Sequence, residues 1–298
     1  MAKQVRPKQE RFTRADFDRE FPDDDACLEW LMRYSHPTHP RGIPCMSKTC
    51  KGAIRKHHRV QKRRSYSCDV CGHHIYPAAG TIFHKSSTSL RVWFLAIYLM
   101  ASTKTGVPAK WLQRESGVTY KAAWRIFKQV RSMLDEGGPI LSGTVEVDET
   151  YFGGKRPGLH GPMGPNKTVI MGFAERGGRV YAEVIPNVRK HTLLPMIERY
   201  VARGSTVYTD ELMSYKTLPL RGYPHESVNH LHREFARGPV HTNSVEGFWG
   251  NFKRGVDGAH HHISAKYLQR YVDEFAYRFN HRLDEKPMFW SMLRQVSA

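Results

Sequence analysis

The feature that most constrains this chain is a change in the period of its apolar residues at Gly137-Gly138-Pro139. Upstream, LRVWFLAIYLMAS, VPAKWLQRESG and TYKAAWRIFKQVRSML carry apolar side chains at the three- and four-residue spacing of helices. Gly106 and Gly117 break that run, which predicts three helices with a short turn between the last two. This is a helix-turn-helix layout, whose final helix has the shape to enter a DNA major groove. Downstream, TVEVDETYFGG, KTVIMGFAERGG and RVYAEVIPN predict three consecutive strands joined by glycine-containing turns. HTLLPMIERYVARG then reads as a helix, STVYTDEL as a fourth strand, and SVEGFWGNFKRG and AKYLQRYVDEFAYRFNHR as two later helices. The fold class expected is α/β.

The 298 residues have room for roughly two domains. Four segments are expected along them: a helical lead-in over 1–40, a Cys-rich region over 41–84, a helical DNA-binding segment over 85–138, and an α/β domain over 139–298. In the lead-in, Pro22 marks the start of the amphipathic stretch DDDACLEWLMRY. The net charge of +18 points to a polyanionic partner, with nucleic acid first and an anionic membrane surface second. No long apolar run occurs, and MAKQVRPKQE lacks the apolar core of a signal peptide. A cytoplasmic protein is expected, in which Cys clusters are metal sites rather than disulfides.

Cys45, Cys50, Cys68 and Cys71 form C-x4-C and C-x2-C knuckles separated by seventeen residues. Zinc takes four such ligands in a tetrahedron, and two knuckles on facing hairpins supply them. Four reduced cysteines without metal are the alternative, as is replacement of one ligand by His57, His58, His73 or His74. Cys27 is left over as a buried thiol. Between the knuckles, KGAIRKHHRVQKRR holds seven bases and no acid: Lys51, Arg55, Lys56, Arg59, Lys62, Arg63 and Arg64. A solvated hairpin is the bland account. Like charges at this density repel unless neutralised, which favours contact with a phosphate backbone.

Three acids stand where a second metal site would be built. Asp148 lies inside the first strand of the α/β segment, Asp210 ends the fourth, and Glu246 lies on a later helix. If the two strands pair and the helix crosses them, the carboxylates meet. Magnesium takes hard oxygen ligands, and two such ions activate a hydroxyl and stabilise a leaving oxygen in phosphoryl transfer. Alternation puts Asp148 on one face with Glu146 and Thr150, and Val147 and Glu149 on the other. It does not say which face holds metal.

VEVDETYFGGK, YTDELMSY, HTNSVEGFWGNFKRG and SAKYLQRYVDEFAYRFNHR together resemble the insertion-sequence transposases of the DDE superfamily that carry an N-terminal zinc ribbon, the ISXO-like group. The likeness runs from the Cys knuckles to about Arg282. It implies an RNase H-like core preceded by a zinc ribbon and a helical DNA-binding segment, in a bacterial, nucleoid-associated protein. The implied activity is binding of terminal inverted repeats, then Mg2+- or Mn2+-dependent cleavage and strand transfer, by a dimer or larger assembly on double-stranded DNA. A DNA-bound regulator derived from a transposase, and a nuclease that cuts without joining, are the rival readings.

The resemblance carries the acidic positions onto Asp148, Asp210 and Glu246, the last two 36 residues apart. It places a phosphate-holding lysine at Lys253, with an ordinary surface lysine as the alternative, followed by Arg254, and Asn243 as a further ligand or DNA contact. His230 fits a family position near the active site, with a structural histidine as the alternative. The first knuckle is wider than the commoner C-x2-C, and residues 1–40 have no counterpart. His260, His261 and His262 suit a DNA-contacting loop better than a joint metal site. Phe248 and Trp249 read as core rather than base-stacking, and Gly153-Gly154 as a turn rather than a phosphate nest.

Overall fold

The computed structural model describes residues 10–153, 167–229, 234 and 236–297. They fall into two compact units, one drawn from residues 10–102, 109–133 and 289–297, the other from 103–108 and 134–288.

In the first unit, α1 (Arg14–Glu20) opens with a capping box in which Thr13 and Asp16 satisfy each other's amides. The next helix, α2 (Asp24–Ser35), is capped by Asp23, one residue after Pro22. Five short strands follow. β1 (Ile43–Pro44) pairs antiparallel with β2 (Ile54–Arg55), and β3 (His57–Val60), β4 (Ser65–Cys68) and β5 (His74–Ile75) make a second small antiparallel sheet. The three helices read from periodicity are α3 (Leu90–Ser102), α4 (Ala109–Ser116) and α5 (Tyr120–Ser132). Gly117, at φ +70°, turns the chain between α4 and α5, and the Thr119 hydroxyl caps α5. The core here is aromatic. Phe21 packs edge-on against Phe94 at 4.9 Å, and Phe12 stacks on Phe289 at 4.9 Å, so the C-terminal residues help to close this unit.

The second unit is a five-stranded mixed sheet with helices on both faces. Its elements are β6 (Thr144–Phe152), β7 (Thr168–Glu175), β8 (Val180–Ile185), α6 (Lys190–Tyr200), β9 (Thr206–Thr209), β10 (His225–Ser227), α7 (Asn243–Gly255) and α8 (Ala265–Asn280). The strand order is β10-β9-β6-β7-β8, with β6 to β8 antiparallel and β6, β9 and β10 parallel. Alternation divides the core in two. Val145, Val147, Met171 and Phe173 face Leu193, Ile197 and Tyr200 of α6. Ile170, Ala174, Val180 and Ala182 face Val245, Phe248, Trp249 and Phe252 of α7 and Leu268, Val272 and Phe275 of α8. Each buried Val, Leu, Ile, Phe or Met side chain among them contributes about 1.5–3 kcal/mol through burial.

Two details of this sheet position the site. β6 pairs with β9 only from Thr144 to Glu146, so beyond Glu146 its edge on that side is open. On its other side it stays paired with β7 through Phe152, which sets Asp148 opposite Gly172. A Cβ at Gly172 would lie 2.4 Å from Cζ2 of Trp249, so the absent side chain is what lets α7 approach the sheet.

Candidate functional site

The Asp148 carboxylate projects from β6 on the face that α7 covers, opposite Val145 and Val147, a choice of face that alternation alone left open. Asp210 is the residue after β9, and its Oδ1 accepts the Leu212 amide at 3.0 Å. Ligand oxygens of Asp148, Glu149 and Asp210 all lie within 4.8 Å of one another. Glu246, exposed in the first turn of α7, stands outside that set, yet its charge acts on Asp148. Its Oε1 accepts the Thr242 hydroxyl at 2.6 Å.

Glu149 is the acid that strand alternation hides. Its backbone places it on the opposite face from Asp148, so alternation alone points it away. The open edge of β6 beyond Glu146 removes that separation, because both side chains reach the space beside the end of β9. The Tyr215 hydroxyl donates to Glu149 Oε1 and holds it there. No sequence signal beyond the doubled acid at 148–149 marks this.

The electrostatics follow from crowding. Burial, then the charges of Asp210 and Glu246, push Asp148 up to about 7, against smaller opposing pulls from the Glu149 amide and the Trp249 indole. Burial, Asp210 and Asp148 raise Glu149 well above the usual carboxylate range. Hard oxygen donors crowded in this way fit a divalent cation.

The other predicted residues sort by position. Asn243 is the exposed first residue of α7, and Lys253 and Arg254 are exposed in its last turn, where Arg254 donates to Asn251 at 2.7 Å. Phe248 and Trp249 are core. Gly153 sits at φ +141°, whereas Gly154 and His230 lie outside the described residues. His260 belongs to a π-type turn and packs against Tyr271, with ring centroids 4.9 Å apart.

In the first unit the four knuckle cysteines converge, their sulfurs within 4.8 Å of one another. Cys45 and Cys71 are 3.6 Å apart, Cys50 and Cys68 4.0 Å. Four thiolates at ~2.3 Å from a shared zinc would be separated by about 3.8 Å, so the cluster has the dimensions of a tetrahedral site. The Ser47 hydroxyl and the His73 amide lower the Cys71 thiol to about 6. Cys27 is buried elsewhere.

The basic run divides in a way its sequence conceals. Arg59 pairs with Asp25 at 2.6 Å, and Arg64 with Asp24 at 3.1 Å while donating to the Ser86 and Thr88 carbonyls. These two guanidiniums hold the hairpin to α2. Lys51, Lys56, Lys62 and Arg63 are exposed, and Arg55 is half-buried.

A mixed α/β sheet with acids from the middle of β6 gathered beside the end of β9, in so basic a chain, suits the transposase class that the comparisons show. A family model described as an ISXO2-like transposase domain matches residues 140–280, which contain all four acids. The "Uncharacterized protein in transposable element ISH50" of Halobacterium salinarum is 29% identical over 259 residues, 80% of this chain and 85% of that protein. An "Uncharacterized transposase-like protein" of Haemophilus influenzae is 35% identical over 102 residues, 34% of this chain and 81% of that protein. The chain belongs to the ISXO2-like insertion-sequence transposases of the DDE type. A chain of the Mos1 strand transfer complex aligns at 13% identity and a TM-score of 0.29, over 69% of this chain and 78% of that one. Among the described residues, no helix is long and apolar enough to cross a membrane.

Proposed function

We propose that this transposase cleaves DNA at the ends of an insertion sequence and joins them to a target, using a divalent-cation site built on an RNase H-like core. The observation that carries the proposal is the convergence of Asp148 and Asp210, from neighbouring parallel strands, with the Glu246 charge acting on Asp148. Asp148, Asp210 and Glu246 would hold magnesium or manganese, and Glu149 is within reach of the same position. Bound there, two such cations would lower the pKa of an attacking hydroxyl and stabilise the leaving oxygen.

The chain's own part is to gather and orient charge. Thr242 fixes one oxygen of Glu246, Tyr215 fixes one of Glu149, and the Leu212 amide fixes one of Asp210. Carboxylates oriented beforehand need little reorganisation when substrate arrives. In the first step water bonds to the scissile phosphorus and the 3′ oxygen leaves, giving a 3′-hydroxyl and a 5′-phosphate. In the second, that 3′-hydroxyl bonds to a target phosphorus and a target 3′-hydroxyl departs. Neither step requires a covalent protein–DNA bond.

The exposed Lys51, Lys56, Lys62 and Arg63, with Lys253 and Arg254, supply phosphate contacts in this reading. The cysteine cluster is a structural zinc site, and α4 with α5 is the DNA-reading helix pair. Pairing of two transposon ends calls for a dimer or larger assembly. The test is incubation of labelled end-containing DNA and a target plasmid with the full chain and Mn2+. Cleaved and joined products are expected, and Asp148→Asn should lose both by at least ~100-fold while still binding ends. Cleavage without joining supports a nuclease instead, and binding without cleavage a regulator.

A further inference from the structure

Glu146 is a carboxylate with 0% exposure, two residues before Asp148 on the same face of β6. Burying a charge is costly unless donors surround it, so its partners show what it serves. Oε2 accepts the Ser244 amide at 2.6 Å and the Val245 amide at 3.3 Å, both in the first turn of α7. Oε1 accepts the Ser244 hydroxyl at 3.1 Å and Arg176 Nε at 2.8 Å, and lies 3.2 Å from His241 Nδ1. Arg176 also donates to the His241 carbonyl at 3.1 Å, closing the ring of contacts ahead of the helix.

The usual capping residue does not fill this role. Thr242, at the N-cap of α7, makes no side-chain cap and instead donates its hydroxyl to Glu246. The Asn243 amide is met locally by His241 Nδ1 at 3.4 Å, but the Ser244 and Val245 amides are met from another element, the strand that carries Asp148. The helix is held at a second point where Trp249 lies over Gly172, the residue opposite Asp148. Glu246 sits between these two fixed points.

Resting on the metal-site reading above, we propose that Glu146 is a positioning residue: it ties the start of α7 to β6 and so sets the reach of Glu246 toward Asp148. Glu146 touches neither substrate nor cation in this account. Its effect passes through Glu246, which separates it from a buried ion pair that only stabilises the fold.

The test is Mn2+ binding to the full-length, DNA-free protein, read as loss of the free-ion signal in electron paramagnetic resonance. Asp148→Asn defines binding at this site. Glu146→Gln should weaken that binding ~10–100-fold, the range for partners that orient a metal ligand. In a Glu246→Gln background the same change should add less than about twofold, because the two act as one unit. Ser244→Ala, which removes one of the hydrogen bonds to the Glu146 carboxylate and leaves the others, should weaken binding ~3–10-fold, and carries the test if Glu146→Gln fails to melt cooperatively. Unchanged binding in Glu146→Gln, or an equal loss in both backgrounds, overturns the inference while leaving the metal site standing. A wild type with no Mn2+ binding sensitive to Asp148→Asn overturns both.

Discussion

At the scale of single residues, Asp148 makes the stability of the cation-free protein depend on pH with a definite sign. Its value in the folded state, about 7, lies above the 3.8 of an ordinary aspartate. Between those two pH values the native state holds a proton that the unfolded chain has released. The stability contributed by the protonated form is complete below 3.8 and is lost as pH rises through 7. Calorimetry without divalent cations should show a melting temperature that falls between about pH 5 and about pH 7.5, with a shallower fall in Asp148→Asn. Equal slopes in the two proteins would remove the carboxylate crowding from the account. Residue by residue, the sequence made Asp148, Asp210 and Glu246 visible through spacing and resemblance. Glu149 was hidden, because alternation reports where a backbone aims a side chain and not where a sheet edge stops being paired. Arg59 and Arg64 likewise looked equal to their neighbours, since Asp25 and Asp24 lie more than thirty positions away.

Among elements, the fit of α7 on the sheet rests on a position with no side chain. Gly172→Ala would drive a methyl group into the Trp249 ring, and overpacking of this kind costs about 1–3 kcal/mol. Urea unfolding should register that loss, and strand transfer should fall because the helix carrying Glu246 is pushed off β6. Wild-type stability in this variant would mean that α7 does not pack as described. The periodic elements, β6 to β8, α3 to α6 and α8, were legible because each buries one face and repeats at its own period. β10 was not. HES has no alternating apolar pattern, and His225–Ser227 is a strand only because β9 offers it a parallel partner. The α7 N-terminus was opaque for the same reason, as its cap comes from a strand residue nearly a hundred positions upstream.

For the whole molecule, a charge of +18 sets the expected response to salt. If Lys51, Lys56, Lys62 and Arg63 each neutralise a phosphate, changing all four to Ala should make the slope of log K against log salt shallower by about 3 to 4. Arg59→Ala and Arg64→Ala should instead lower the melting temperature, because they release α2 from the hairpin. A full slope change from the two arginines and none from the other four would reverse this assignment.

The spatial claim beneath the account is that chain segments far apart in sequence surround a common cation. Iron-directed cleavage tests it most directly: Fe2+ is loaded in place of magnesium, ascorbate and peroxide generate hydroxyl radicals, and the protein fragments are sized. Cuts near Asp148, after β9 at Asp210, and in the first turn of α7 are expected together, all suppressed by excess Mg2+. Cuts near one of these segments without the others, or a pattern that Mg2+ leaves unchanged, would contradict it.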